Sequence, residues 1–209
     1  MSPRRRFVFD FGKVVFDWHP PAVVRAQLPH VVGDDADAEA WAARVFQAYG
    51  GDWGEFDRGT LDVDTLVPRI AARTGLAPDD ARRVVEAVPH ALQPDAGTVA
   101  LMQRLRDAGH TLHYLSNMPA SYALHLERTH AFMAWFESGV FSSRVGHIKP
   151  ERAIFEHAAR MFGGDAAGLV FFDDHPPNVE AARALGWQAL HFTTAAAARA
   201  DCERHGWLA

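Results

Sequence analysis

Cysteine is almost missing from this chain. Cys202 stands alone among 209 residues, so no intramolecular disulfide can form and a reducing compartment is the natural setting. Long apolar runs are missing too. No segment reaches the roughly 18 residues that a membrane helix needs, and the first apolar stretch, Phe7-Val8-Phe9, is broken at once by Asp10. The N-terminus therefore lacks the apolar core of a secretory leader, and a cytoplasmic location is expected. Basic clusters are scarce: net charge is -5, and Arg4-Arg5-Arg6 is the one basic run. That is too short for the basic face that nucleic acid requires. What remains, 48% hydrophobic and 22% charged residues, is an ordinary globular composition. The length suffices for one α/β domain with a small insertion.

Four apolar runs read as strands: Phe7 to Phe11, Thr111 to Leu115, Leu169 to Phe172 and Gln188 to Phe192, with Val140 to Ser142 a weaker fifth. They are continuous rather than alternating, as in a parallel sheet covered on both faces. Helical stripes lie between them. One runs from Val99 to Ala108, another from Ile154 to Phe162, and a third from Val179 to Leu185, each closed by glycine. This βαβα rhythm predicts a doubly wound, Rossmann-like parallel sheet. It is interrupted between about Pro20 and Pro94. There, segments near Val23 to Leu28, Ala38 to Tyr49, Val63 to Thr74 and Pro78 to Ala87 read as helices, and no strand is convincing. The expected organisation is an α/β catalytic core of residues 1–18 and 95–209, with a helical cap of residues 19–94 inserted after the first strand.

The ends of the strands carry the chemistry. Asp10 follows the first, Ser116-Asn117 the second, and Asp173-Asp174 the run Leu169 to Phe172, while Lys149 follows a Gly146 turn. In an open α/β sheet the C-terminal strand ends are where ligands bind. A carboxylate nucleophile, a hydroxyl, a cation and an acidic pair in that order point to metal-assisted phosphoryl chemistry. A carboxylate approaching a phosphate dianion meets repulsion of about 4 kcal/mol per unit charge pair at ~4 Å and an effective dielectric of ~20. A magnesium ion bound by hard oxygen ligands removes it. Asp10 is the candidate nucleophile and metal ligand, Asp174 a direct ligand, and Asp173 an outer or alternative one. Ser116 and the Asn117 amide are candidate phosphate donors at the start of a following helix. Lys149 would neutralise charge on the nucleophile and the phosphoryl group, and Asn178 would orient Lys149.

These residues, in order, give the chain a resemblance to the haloacid dehalogenase superfamily, most of whose members are magnesium-dependent phosphatases. Within it the chain resembles the branch that includes the sugar-1-phosphate phosphatases. The matching segments are Val8 to Val15, Leu115-Ser116-Asn117, Gly146 to Glu151 with Ile154-Phe155, and Phe171 to His175 through Asn178, Glu180 to Ala182 and Leu185-Gly186. The resemblance implies an aspartyl-phosphate on Asp10, a metal site completed by the Gly12 carbonyl, and a closing cap that selects a small phosphorylated metabolite, best taken as a sugar phosphate. Trp53, Glu55, Phe56, Asp57 and Arg58 are candidate specificity residues, with Arg58 a candidate substrate contact.

One position departs from the phosphatase pattern. Gly12 stands where a second aspartate usually serves as general acid and base, a role worth roughly 10²–10⁴-fold. Asp17, His19, His175 and Asp57 are the candidate substitutes. Two other readings stay open. A metal-independent dehalogenase would use Asp10 on carbon, but Lys13 and Val14 fit its pattern poorly and it has no use for Asp173-Asp174. A phosphate-binding protein without turnover is the second; the acidic pair comes too late in the chain for a receiver domain.

Overall fold

The computed structural model describes residues 4–208. Its strands are β1 (Arg6–Phe9), β2 (Phe16–Asp17), β3 (Gln93–Pro94), β4 (Thr111–Ser116), β5 (Phe136–Phe141), β6 (Leu169–Asp173) and β7 (Gln188–His191). Five of them form one parallel sheet in the order β5-β4-β1-β6-β7. Helices α1 (Pro20–Gln27), α2 (Asp35–Phe46), α3 (Gly51–Arg58), α4 (Val63–Thr74) and α5 (Pro78–Ala91) all fall between β2 and β3. Then α6 (Ala96–Asp107), α7 (Ala120–Thr129), α8 (Ser142–Val145), α9 (Arg152–Met161), α10 (Pro176–Ala184) and α11 (Ala195–Arg204) follow the later strands.

Alternation along each strand divides the interior in two. Phe7 and Phe9 pack with Leu112, Tyr114 and Phe172 on one face, while Val8 packs with Leu115, Phe171 and residues of α9 and α10 on the other. Both faces are buried, which is why the strands read as unbroken apolar runs. The first core continues from the sheet into the helical insertion, where it takes in Val45, Trp53, Ile70 and Val84. The two crossings between insertion and sheet are tied together: β2 and β3 pair antiparallel, Phe16 opposite Pro94 and Asp17 opposite Gln93.

Strand order fixes where the site lies. The chain runs outward from β1 through β4 to β5, then returns to the other side of β1 for β6 and β7. The order therefore reverses between β1 and β6, and the crevice beyond their carboxyl ends is the ligand position of such sheets. Asp10 leaves β1 and Asp173-Asp174 leaves β6 at that point, joined by a bond from Asp10 N–H to the Phe172 carbonyl of 2.9 Å.

Several expectations need correction. The first strand stops at Phe9, because the Phe11 carbonyl accepts from Val14, Val15 and Phe16 N–H and closes a turn instead of extending the ladder. The weak fifth strand is longer than read, starting at Phe136. Its Gly139 lets the Tyr114 ring lie flat against the backbone, in space a Cβ would occupy. Helix α11 and the β2–β3 pair were not anticipated, and the helix expected to begin at Ser116-Asn117 begins only at Ala120, as α7.

Candidate active site

Asp10, 8% exposed, is placed by β1 with both of its protein contacts on one oxygen. Oδ1 accepts from Phe11 N–H at 2.7 Å and from Lys149 Nζ at 2.8 Å. Oδ2 has no protein partner among the described residues, which leaves it available for reaction. Lys149 arrives from the loop between α8 and α9, and its Nζ also donates to Asp173 Oδ2 at 2.6 Å. Asn117 holds that loop from the end of β4: its Nδ2 donates to the Lys149 carbonyl at 3.1 Å and its Oδ1 accepts from Lys149 N–H at 2.8 Å. The Asn117 side chain is thus engaged with the loop.

Asp173 is fully buried. Besides Lys149, it accepts from Asn178 Nδ2 at 3.0 Å on each oxygen and from His175 N–H at 2.8 Å. Asn178 therefore positions Asp173, which in turn positions Lys149, rather than orienting the lysine directly as expected. With its oxygens so engaged, Asp173 sits behind the site. Carboxylate oxygens of Asp10, Asp173 and Asp174 nevertheless lie within 4.8 Å of one another, the hard-oxygen set that suits magnesium. Asp174 is half-buried, with Lys13 Nζ 4.0 Å away.

The electrostatics follow from burial. Desolvation pushes the Asp10 carboxyl up to about 7; Lys149 opposes this, and Asp173 and Asp174 add to it. The Asp174 carboxyl is raised by burial and by Asp173. Burial alone would lower the Lys149 ammonium, but Asp10 and Asp173 together hold it above its ordinary value. A cation fixed between two carboxylates next to an anionic substrate is what such a site needs.

Above these groups is a cavity of about 340 Å³. Asp10, Gly12, Ser116, Lys149 and Asp174 form its floor. Ser116 is 1% exposed, and its hydroxyl has only a 3.5 Å approach to the Asn117 carbonyl. It does not begin a helix as expected: three residues separate it from α7. The insertion supplies a wall of Trp18, Tyr49, Trp53, Val88 and Leu92, joined by Met118, Tyr122 and Ile148. Trp18 Nε1 donates to the Tyr49 hydroxyl at 2.9 Å, and the Tyr122 hydroxyl donates to the Val85 carbonyl at 2.6 Å. Tyr49 ends a run of left-handed residues, Gln47, Ala48 and Tyr49, that turns it into the cavity.

Arg58 does not line this cavity. Its guanidinium forms a fork with Glu151, at 2.9 and 2.6 Å, and joins α3 to the loop after Lys149. Of the candidates to replace the missing aspartate, Asp17 is exposed on β2 and His19 caps α1 by accepting from Ala22 N–H at 3.2 Å, and neither reaches the cavity. His175 and Asp57 do line it. Asp57 is 5% exposed, and burial together with repulsion from Asp10 pushes its carboxyl up to about 8. Sequence reasoning missed Ser142 and the role of Glu151. The Ser142 hydroxyl donates to the Asp57 carbonyl at 2.5 Å and accepts from Met118 N–H at 2.8 Å. Only the proximity of Glu151 to Lys149 could have marked it.

The chain was compared with known proteins. A sesquiterpene phosphatase of Aspergillus oryzae is 28% identical over 89% of this chain and 88% of its own length. A haloacid dehalogenase family enzyme of Bacteroides thetaiotaomicron, solved with magnesium and inorganic phosphate, superposes with a TM-score of 0.72 at 18% identity, covering 91% of this chain and 95% of that one. The L-2-haloacid dehalogenase of Xanthobacter autotrophicus, with chloropropionic acid covalently bound, superposes at 0.67 and 16% identity over 94% and 82%. The fold is thus shared by an enzyme solved with magnesium and inorganic phosphate and by a dehalogenase. The model of the haloacid dehalogenase-like hydrolases matches residues 7–186, from the strand that leads into Asp10 to just past the end of α10, and the chain belongs to that family of hydrolases.

Proposed function

We propose that the protein is a magnesium-dependent phosphatase acting on the monophosphate of a small alcohol through an aspartyl-phosphate on Asp10. The observation that carries this reading is the pairing of Asp10, in hydrogen-bond contact with Lys149, with a second exposed-edge carboxylate, Asp174, at the floor of one cavity. A dehalogenase attacking neutral carbon has no use for Asp174. A dianionic phosphate needs it, because a cation between two carboxylates cancels the repulsion that burial would otherwise magnify. The magnesium-bound and phosphate-bound enzyme from Bacteroides thetaiotaomicron and the Aspergillus oryzae phosphatase support the same reading.

Asp10, Asp174 and the Gly12 carbonyl would hold the ion, and the donor set fits: all are oxygens, and the Asp174 carboxylate is not consumed by protein hydrogen bonds. Magnesium bound there would supply charge neutralisation for nucleophile and phosphate. The chain does the rest. Lys149 binds a phosphoryl oxygen and keeps Asp10 Oδ1 in place, which directs Oδ2 at phosphorus. Ser116 offers its hydroxyl to a second phosphoryl oxygen. The helices above screen the site from bulk water during the attack on phosphorus.

The wall also bears on the alcohol. A sugar presents a hydroxyl on nearly every carbon, and each one buried without a partner costs ~1–3 kcal/mol. The Trp18 and Tyr122 donors are already engaged within the wall, and Val88, Leu92, Met118 and Ile148 offer none, which leaves Tyr49 and Trp53 as its few polar groups. This lining favours an apolar alcohol such as an isoprenoid over the sugar moiety expected from the family branch, in keeping with the sesquiterpene phosphatase relative. The test is phosphate release from farnesyl monophosphate, decyl phosphate, glucose 1-phosphate and glucose 6-phosphate, with and without magnesium, alongside chloride release from 2-chloropropionate. Magnesium-dependent release with the lowest KM for the apolar esters is expected. Chloride release without metal would replace the reading with a dehalogenase.

A further inference from the structure

An aliphatic alkoxide is a poor leaving group, and the water that later attacks the aspartyl-phosphate must lose a proton. The chain therefore needs an acid that becomes a base, and Gly12 offers no side chain. The cavity floor does not supply it. Asp10 is the nucleophile, and Lys149 is fixed between Asp10 and Asp173 at 2.8 and 2.6 Å. Asp174 is taken as a metal ligand. The Tyr49 phenol is raised above an already high ordinary value. His175 is exposed at the rim, on the loop that carries the acidic pair.

Asp57 remains, and it reaches the cavity from the opposite side, on the last turn of α3. The fold holds that turn to the core by separate contacts. Ser142 donates to the Asp57 carbonyl, and Arg58 forks onto Glu151. Gly59 packs so tightly on Ser143 that a Cβ would lie 2.6 Å from its carbonyl oxygen. None of these engages the Asp57 carboxyl, which has no hydrogen-bond partner among the described residues although it is nearly buried. A carboxyl that lines this cavity while only 5% exposed favours its neutral, proton-carrying form.

We propose that Asp57 is the general acid and base of this enzyme, a role carried by the helical insertion and held at the cavity of Asp10 by the α3 clamp. The proposal rests on the phosphatase reading above. In the first step Asp10 Oδ2 bonds to phosphorus, the bond from phosphorus to the alcohol oxygen breaks, and the Asp57 proton passes to that oxygen. In the second, Asp57 takes a proton from water as the water oxygen bonds to phosphorus. The bond to Asp10 then breaks, releasing phosphate and returning both carboxyl groups to their starting forms.

The test compares leaving groups in the presence of magnesium. 4-Nitrophenolate departs without a proton, whereas decanol does not. Asp57→Asn keeps the shape of the neutral acid but cannot donate its proton. It should keep a burst of nitrophenolate, about one per enzyme and within a few-fold of the wild-type rate. Decanol release should fall by ~10²–10⁴-fold. The phosphoenzyme should then persist and be seen by intact mass, and Asp57→Glu should recover part of the decyl phosphate rate. The proposal is overturned if both substrates slow by the same factor, if neither slows, or if His175→Asn separates them and Asp57→Asn does not. A wild-type protein that releases no phosphate from either ester overturns the phosphatase reading and this one with it.

Discussion

The Asp10 carboxylate has buried neighbours whose effects can be tested. Asp10→Asn removes the proposed nucleophile and is expected to lower phosphate release to background, measured on any ester the wild type accepts. Asp173→Asn leaves Lys149 with one carboxylate instead of two. It should reduce kcat by at least ~10-fold while the protein still folds, because Asn178 and His175 N–H retain an acceptor at that position. Asp57 makes a different prediction, in stability. Its carboxyl is raised from 3.8 to about 8 in the fold, so between those values the folded protein holds a proton that the unfolded chain has lost. Stability from this group is full below about pH 4 and falls with a slope of about 1.4 kcal/mol per pH unit until the folded group ionises. Asp57→Asn does not titrate. In metal-free buffer its melting temperature should therefore gain on the wild type from pH 4 to 8, then stay level above that. A constant difference would contradict the buried, neutral acid. At this scale the sequence was most informative where a polar residue ends an apolar run. Asp10, Ser116 and Asp173-Asp174 stand out for that reason. The targets of Asn178, Asn117 and Arg58 did not, because a hydrogen-bond partner depends on how loops cross, and no spacing along the chain encodes that.

At the level of elements, α3 and its clamp decide how the insertion meets the sheet. Little of the helix was legible in the sequence. Gly51 and Gly54 lower its propensity, and it is held by tertiary contacts: Trp53 and Phe56 are buried among Phe46 and Tyr122. By contrast α4 was legible to the residue, since Asp62 caps it through Thr65 N–H and Gly75 ends it in a left-handed turn. The clamp can be loosened stepwise. Arg58→Ala removes a half-exposed fork worth about 1 kcal/mol, a fall in melting temperature of roughly 2–4 °C for a chain of this size. Gly59→Ala should cost more, ~1–3 kcal/mol. It forces a side chain into a backbone of φ 86° and onto the Ser143 carbonyl. Thermal denaturation of both variants orders the two effects, and the reverse order would show that the ion pair holds the clamp.

Across the whole molecule, one hydrophobic core spans sheet and insertion, and the proposed metal ligands lie at its edge. Unfolding is therefore expected as a single cooperative transition, seen as coincident far-UV and tryptophan fluorescence changes. Magnesium at 100 times its dissociation constant should add about 2.7 kcal/mol, and Asp174→Ala should abolish that gain. The doubly wound sheet was legible because parallel strands buried on both faces are apolar throughout. The β2–β3 pair was not, since strands of two residues leave no period to read. That pair nonetheless has the widest consequence. It brings the entry and the exit of the insertion to one strand spacing, about 4.8 Å, so the sheet bears residues 18–92 as if they were the loop of a hairpin. A segment attached in this way is a cassette: the helices that shape the wall and present Asp57 can be exchanged for another set through two adjoining splice points. Such an exchange would leave in place the strand ends that carry Asp10, Ser116 and Asp174.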